Sequence, residues 1–98
     1  MPTTPKKARK AHSDSDPRRR EFVSIDGVLG FILQRVSAGV RVTRKEKLVD
    51  GSRVSYSMLF HDTQAFERFC AADGLRFAYP LIYDQARKAF DQLHPALS

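Results

Sequence analysis

The sequence predicts an α+β domain: a small antiparallel sheet, built on a β-hairpin over residues 40–60, covered on one face by two C-terminal helices. Three observations predict it. Val40, Val42, Arg44, Glu46 and Leu48 share one parity, and Val54, Tyr56, Met58 and Phe60 share another, as the period of two in a strand requires. Between these runs, Val49-Asp50-Gly51 suits a type I turn closed by Gly51 in the left-handed region. After residue 62 the apolar residues recur instead at spacings of three and four, the period of a helix. The 98 residues allow one small domain, and 42% hydrophobic with 29% charged residues is a globular composition. The domain is expected over residues 20–95, behind a disordered basic arm at 1–19.

The arm follows from composition. Residues 1–20 hold Pro2, Pro5, Pro17 and seven bases: Lys6, Lys7, Arg9, Lys10, Arg18, Arg19 and Arg20. Against Asp14 and Asp16 this is +5 of the formal net charge of +6. Beyond Met1 and the prolines there is nothing apolar larger than alanine, so the segment cannot bury enough surface to offset its ordering entropy. Such an arm is suited to nucleic acid or another polyanion, or else serves as a solubilising tail. Residues 21–98 carry ten bases and nine acids, so the basic balance describes the tail more than the fold.

Glu21 to Ile25 is a short strand candidate, ending at Asp26-Gly27. Val28 to Val36 fits two patterns. As a helix, Leu29, Ile32, Leu33 and Val36 make a stripe, with Asp26 as N-cap and Gly39 as terminator; this is the favoured reading. As a strand, neither parity is clean, and Gly27 and Gly30 weigh against the helix. In the hairpin, the loop 49–51 pairs Leu48 with Ser52, and hence Glu46 with Val54, Arg44 with Tyr56, Val42 with Met58 and Val40 with Phe60. Asp62 is placed to cap the next helix, whose Phe66, Phe69 and Cys70 fall on one face and which Gly74 stops. Leu75 to Tyr79 is a connector with Phe77 and Tyr79 packing down. Pro80 opens the last helix, with Ile82, Ala86, Ala89, Phe90 and Leu93 as its buried stripe and His94-Pro95 as its end.

Little in the chain suggests catalysis. His12, His61 and His94 have no cysteine or second histidine at metal-ligand spacing, so neither a metal nor a cofactor is expected. His61 beside Asp62 resembles half of a dyad, but a capping loop accounts for both. Cys70 lies on the apolar face with Phe66 and Phe69, where a buried, inert thiol is expected. Gly27-Val28-Leu29-Gly30 lacks the third glycine and the lysine of phosphate-binding loops. The apolar runs are too short to span a bilayer, and the single cysteine fits a reducing compartment, so a cytoplasmic, non-enzymatic protein is expected.

Two surfaces remain. The outer hairpin face bunches Arg41, Lys45, Lys47 and Arg53, with Lys47 directly opposite Arg53. Like charges so paired cost stability, and attraction of phosphate would justify that cost, although Glu46 and Asp50 lie close enough to dilute the field. The alternative is an ordinary sheet face with anti-aggregation lysines. The second surface is Tyr79, Leu81 and Tyr83, partly off the buried stripe: either the helix packs between two elements and buries more than one face, which is the slightly favoured reading, or some of these side chains stay exposed and suit a protein partner or homodimer. Weak, sequence-tolerant nucleic-acid binding through arm and hairpin is the leading expectation, and a protein-interaction module using the tyrosine patch is its competitor.

Overall fold

A computed structural model of the chain describes residues 16–94. Four antiparallel strands, β1 (Arg19–Val23), β2 (Leu29–Val36), β3 (Gly39–Lys47) and β4 (Arg53–Phe60), pair only with their sequence neighbours. Two helices, α1 (Thr63–Ala72) and α2 (Pro80–Leu93), cover one face of the sheet, joined through a short 3-10 helix at Gly74–Phe77. This is the predicted α+β architecture. The expected disordered arm, with Lys6, Lys7, Arg9 and Lys10, falls outside the described residues except at its last positions. Of these, Arg19 belongs to β1, opposite Gln34, so the sheet takes in the last residue of the expected arm; Arg20 follows it opposite Leu33.

The hairpin has the predicted register, from Val40 opposite Phe60 to Lys47 opposite Arg53. Its turn is the predicted three-residue loop: the Leu48 N–H donates to the Ser52 carbonyl at 2.8 Å, and Gly51 sits at φ +90°. The favoured helix at residues 28–36 is instead strand β2. Leu29, Phe31 and Leu33 alternate inward and are completely buried, while Ile32 points to the other face. The apparent helical stripe joined residues from both faces of a strand. Gly39 ends no helix; it starts β3 at φ +151°, and a Cβ there would stand 2.2 Å from the Phe60 carbonyl oxygen.

The core lies between sheet and helices. Its centre is aromatic: the Phe66 ring stacks on Phe90 with centroids 4.7 Å apart, and Phe60 meets Phe66 edge-on at 5.3 Å. The predicted stripe of α2, Ile82, Ala86, Ala89, Phe90 and Leu93, is buried throughout. Asp62 caps α1 as predicted, accepting from the Ala65 N–H at 2.8 Å. Arg35, on the helix side of β2, donates to the Leu93 carbonyl at 2.9 Å, placing a cation at the negative end of α2. Near the helix junction Gly74 stands at the expected C′ position, after the Asp73 C-cap, but without a left-handed conformation; the Asp73 carboxylate caps the 3-10 helix through the Leu75 N–H. One expectation fails there. Phe77 does not pack down: it is 76% exposed, with the Arg76 guanidinium 4.1 Å from its ring centroid.

Candidate nucleic-acid interface

Strand parity divides the sheet into two chemically different faces. The helix side presents Phe22, Leu29, Phe31, Leu33, Val40, Val42 and Phe60. On the open side the register builds crosswise rows: Arg19, Gln34, Arg41 and Leu59; then Glu21, Ile32, Thr43 and Ser57; then Val23, Gly30, Lys45 and Ser55. Lys47 and Arg53 extend that face toward the hairpin tip. Arg41, Lys45, Lys47 and Arg53 therefore share one surface, all exposed, and β1 adds Arg19.

The charge is segregated. The open face holds five bases against Glu21 alone, so +4, and Glu21 is spent on Arg19 at 3.4 Å. The remaining described residues hold eight bases and nine acids, so −1. Glu46 does not dilute the basic field as expected. It points to the helix side and accepts from Arg44 Nη1 at 2.8 Å. Asp50, at the tip, is held by the Ser52 N–H and hydroxyl, which keep its carboxyl below the usual carboxylate range. Between Val23 and Lys45, Gly30 leaves a hollow of about 350 Å³ with Ile32 and Val23 as apolar walls and Lys45, Lys47 and Arg53 as cationic ones; Glu21 and Glu46 also border it. A Cβ on Gly30 would already meet the Val23 side chain at 3.1 Å.

No aromatic side chain of the four strands lies on this face, because Phe22, Phe31, Tyr56 and Phe60 all have the opposite parity. The face has no stacking platform for bases, and what it offers is cations for phosphates with hydroxyls between them. The Thr43 and Ser57 hydroxyls are 2.8 Å apart at its centre. Of the other predicted contacts, Arg18 is exposed in the turn before β1, with its N–H on the Asp16 carboxylate at 2.9 Å. Arg20 is on the helix side and folds back on the Pro17 carbonyl at 2.9 Å, so it does not join the open face.

The predicted tyrosine patch does not hold together. Tyr83 is 2% exposed and belongs to the core, its ring edge-on to Phe31 at 5.2 Å. The helix buries two adjacent stripes because it lies over β1 and β2 and beside α1 at once. Tyr79 is half-buried, and its hydroxyl donates to Asp26 at 2.7 Å. Leu81 stays exposed and, with Val23 and Ile25, borders a groove of about 530 Å³ beside Tyr79 and Pro80.

One cluster was missed by sequence reasoning. Arg44 sits on the helix side of β3, buried, and forks onto Asp73: Nε donates to Oδ2 at 2.7 Å and Nη2 to Oδ1 at 3.0 Å. Burial pulls the guanidinium pKa down, but the Asp73 and Glu46 hydrogen bonds outweigh it and hold it above its ordinary value. Burial likewise pushes the Asp73 carboxyl up, and the hydrogen bonds from Arg44 and the Leu75 N–H outweigh it and bring it below the usual range. Burial beside Asp73 pushes the Tyr83 hydroxyl pKa up. The available signal was Arg44 itself, a charge at a core-facing parity in a strand. The cluster is a closed ion pair that ties β3 to the helix junction.

Among the described residues, His61 is occupied and Cys70 is sealed. His61 Nδ1 lies 2.9 Å from the Ala38 carbonyl, bridging the β2–β3 turn to the end of β4. Cys70 is 1% exposed, and burial pushes its thiol up to about 12. Among the described residues no group of three or more His, Cys, Asp or Glu is placed to hold a metal ion, and no helix is long and apolar enough to cross a membrane. Comparison with protein-family models, with curated proteins and with solved structures gives no match for this chain.

Proposed function

We propose that the protein is a small binding module whose open sheet face holds the backbone of nucleic acid, or of a similar polyanion, without reading its sequence. The observation that supports this is the segregation of charge: Arg19, Arg41, Lys45, Lys47 and Arg53 stand on one face with a single acid. Keeping Lys47 directly opposite Arg53 costs stability, and a bound phosphate between them removes that cost. The absence of aromatics on the face favours phosphate contact over base stacking. The N-terminal bases Lys6, Lys7, Arg9 and Lys10 add four further cations upstream of β1.

The test is a titration with single-stranded and duplex oligonucleotides across a salt series. Binding should be micromolar or weaker, indifferent to sequence, and should fall with salt at a log–log slope of about −0.9 per duplex phosphate or −0.7 per single-strand phosphate. Arg41, Lys45, Lys47 and Arg53 changed together to Gln should make that slope shallower by about three units. Deleting residues 1–15, which removes four bases and Asp14, should shift it separately. No binding at low salt refutes the reading, and binding that survives the quadruple change moves the site off the sheet.

A second reading, capture of a protein at the groove between Ile25 and Leu81, is favoured by the exposure of both side chains, Leu81 at 72%. Leu81→Lys should abolish such capture and leave nucleic-acid affinity unchanged.

A further inference from the structure

We infer that the outer edge of β4 is a self-pairing surface, and that two copies of this chain join there about a two-fold axis at Tyr56 into one eight-stranded sheet. The two edges of the sheet are unlike. β1 is five residues long and carries Arg19, Arg20 and Glu21, charges that discourage another strand from pairing. β4 is eight residues long, with no proline and one charge, at its first position. Its register with β3 runs from residue 53 to 60 without a skip, so no bulge twists the edge away.

The hydrogen-bond phase shows what this edge offers. Leu48 and Ser52 close the turn through the Leu48 N–H at 2.8 Å, so β4 residues of the same parity, Val54, Tyr56, Met58 and Phe60, bond inward to β3. The alternate residues, Arg53, Ser55, Ser57 and Leu59, turn their N–H and C=O groups outward. The side chains beside this ladder are only partly covered: Tyr56 is 47% exposed, Val54 41% and Leu59 39%. The helices lie mainly over β1 and β2 and leave the middle of β4 open.

The sequence of β4 is self-complementary about Tyr56. Antiparallel pairing there sets Ser55 against Ser57, Val54 against Met58 and Arg53 against Leu59 of the other copy, with Tyr56 facing Tyr56. The four outward residues of each copy then exchange about eight N–H···O=C bonds. No like charges stand opposite each other. Val54, Tyr56 and Met58 of both copies form one apolar strip on the helix side, where each Tyr56 already has Arg44 5.9 Å from its ring centroid. The contact uses the same edge of both copies, so it closes at two and leaves the charged β1 edges outermost. It also sets the two open faces side by side, each at +4. Their mutual repulsion makes association stronger as salt rises.

Sedimentation and amide exchange on the full chain test the inference directly, and two cysteine variants fix the register. Sedimentation should show a monomer–dimer equilibrium that favours dimer at higher protein concentration and higher salt. The Ser55 and Ser57 amides should gain protection as dimer forms. In the proposed register two Tyr56 Cα atoms face each other as a non-hydrogen-bonded pair, ~4.5 Å apart, within reach of a disulfide. Tyr56→Cys should therefore oxidise to a covalent dimer. Leu59→Cys should not, because two copies of residue 59 lie six positions out of register, ~20 Å apart. Val54→Lys, an exposed change, should leave the fold intact and weaken the dimer at least tenfold. A monomer at all concentrations with unprotected Ser55 and Ser57 amides overturns the inference. So does open-ended oligomerisation, a dimer that survives Val54→Lys but not Leu81→Lys, or equal cross-linking at residues 56 and 59. The dimer does not depend on nucleic-acid binding: a chain that dimerises and binds no oligonucleotide sinks only the proposed function.

Discussion

Arg44→Leu should be among the most damaging substitutions on the sheet, and the reason is what it leaves behind. Arg44 and Asp73 have side chains only 7% and 8% exposed, so their attraction is poorly screened. Removing the guanidinium strands the Asp73 carboxylate in the core edge with only the Leu75 N–H and Tyr83 beside it. Breaking a buried pair in this way costs about 3–5 kcal/mol. At 0.05–0.15 kcal/mol per residue, the 79 residues from 16 to 94 have a total stability of about 4–12 kcal/mol, so the variant approaches unfolding. Asp73→Asn should cost less, about 2–3 kcal/mol, because Arg44 keeps Glu46 at 2.8 Å and the amide oxygen still caps Leu75. The double variant should be more stable than Arg44→Leu alone, with a coupling of about 1–3 kcal/mol. Urea unfolding reads this out: at an m-value of ~1 kcal/mol/M, a loss of 3 kcal/mol lowers the midpoint by ~3 M. The carboxyl of Asp73 is held below its unfolded value, so the pair's contribution is present above about pH 4 and lost as pH falls through the folded pKa. Wild type and Asp73→Asn should therefore converge in acid. An Arg44→Leu midpoint within 0.5 M of wild type, or strictly additive changes, would refute this account.

Phe90→Ala removes a ring that is 0% exposed and stacked on Phe66; it should cost ~3–5 kcal/mol, and a near-wild-type midpoint would mean the helix buries another face. Gly39→Ala drives a Cβ to 2.2 Å from the Phe60 carbonyl oxygen at a φ that only glycine adopts easily, so it should destabilise by at least ~1–3 kcal/mol, read as a lower thermal midpoint; no change would show that the β2–β3 turn can shift freely. Cys70 should resist thiol reagents at neutral pH except through unfolding. Because its folded pKa of about 12 exceeds the unfolded value of 9.0, stability should decline as pH rises above 9; rapid labelling of the native chain would contradict its burial.

The hairpin was legible because its information is local. Turn chemistry at Asp50-Gly51 and alternation on both sides fix one register, and a slip of one residue would turn Val40 and Val42 to solvent. The α2 stripe and both helix starts were legible for the same reason. β2 was not: Ile32 lies on the open face, and its side chain masked the inward alternation of Leu29, Phe31 and Leu33. Tyr83 is buried on a second face of α2 because that helix has neighbours on both flanks, which its period allows but does not encode, and Phe77, in the 3-10 helix, stays outside the core beside Arg76. The four hairpin cations of the candidate site followed from parity alone. Arg19 needed knowledge that β1 pairs beside β2, and the turn of Glu46 away from that face needed the partner that holds it, Arg44.

Pairing every strand with its sequence neighbour has a consequence for folding speed. All three strand pairings close over short turns, so the contacts of the sheet are local in sequence. Local contacts need little loop closure before they form, and domains rich in them fold fast for their size. The costly closure is the docking of α2, whose last carbonyl meets Arg35 across 58 positions of chain.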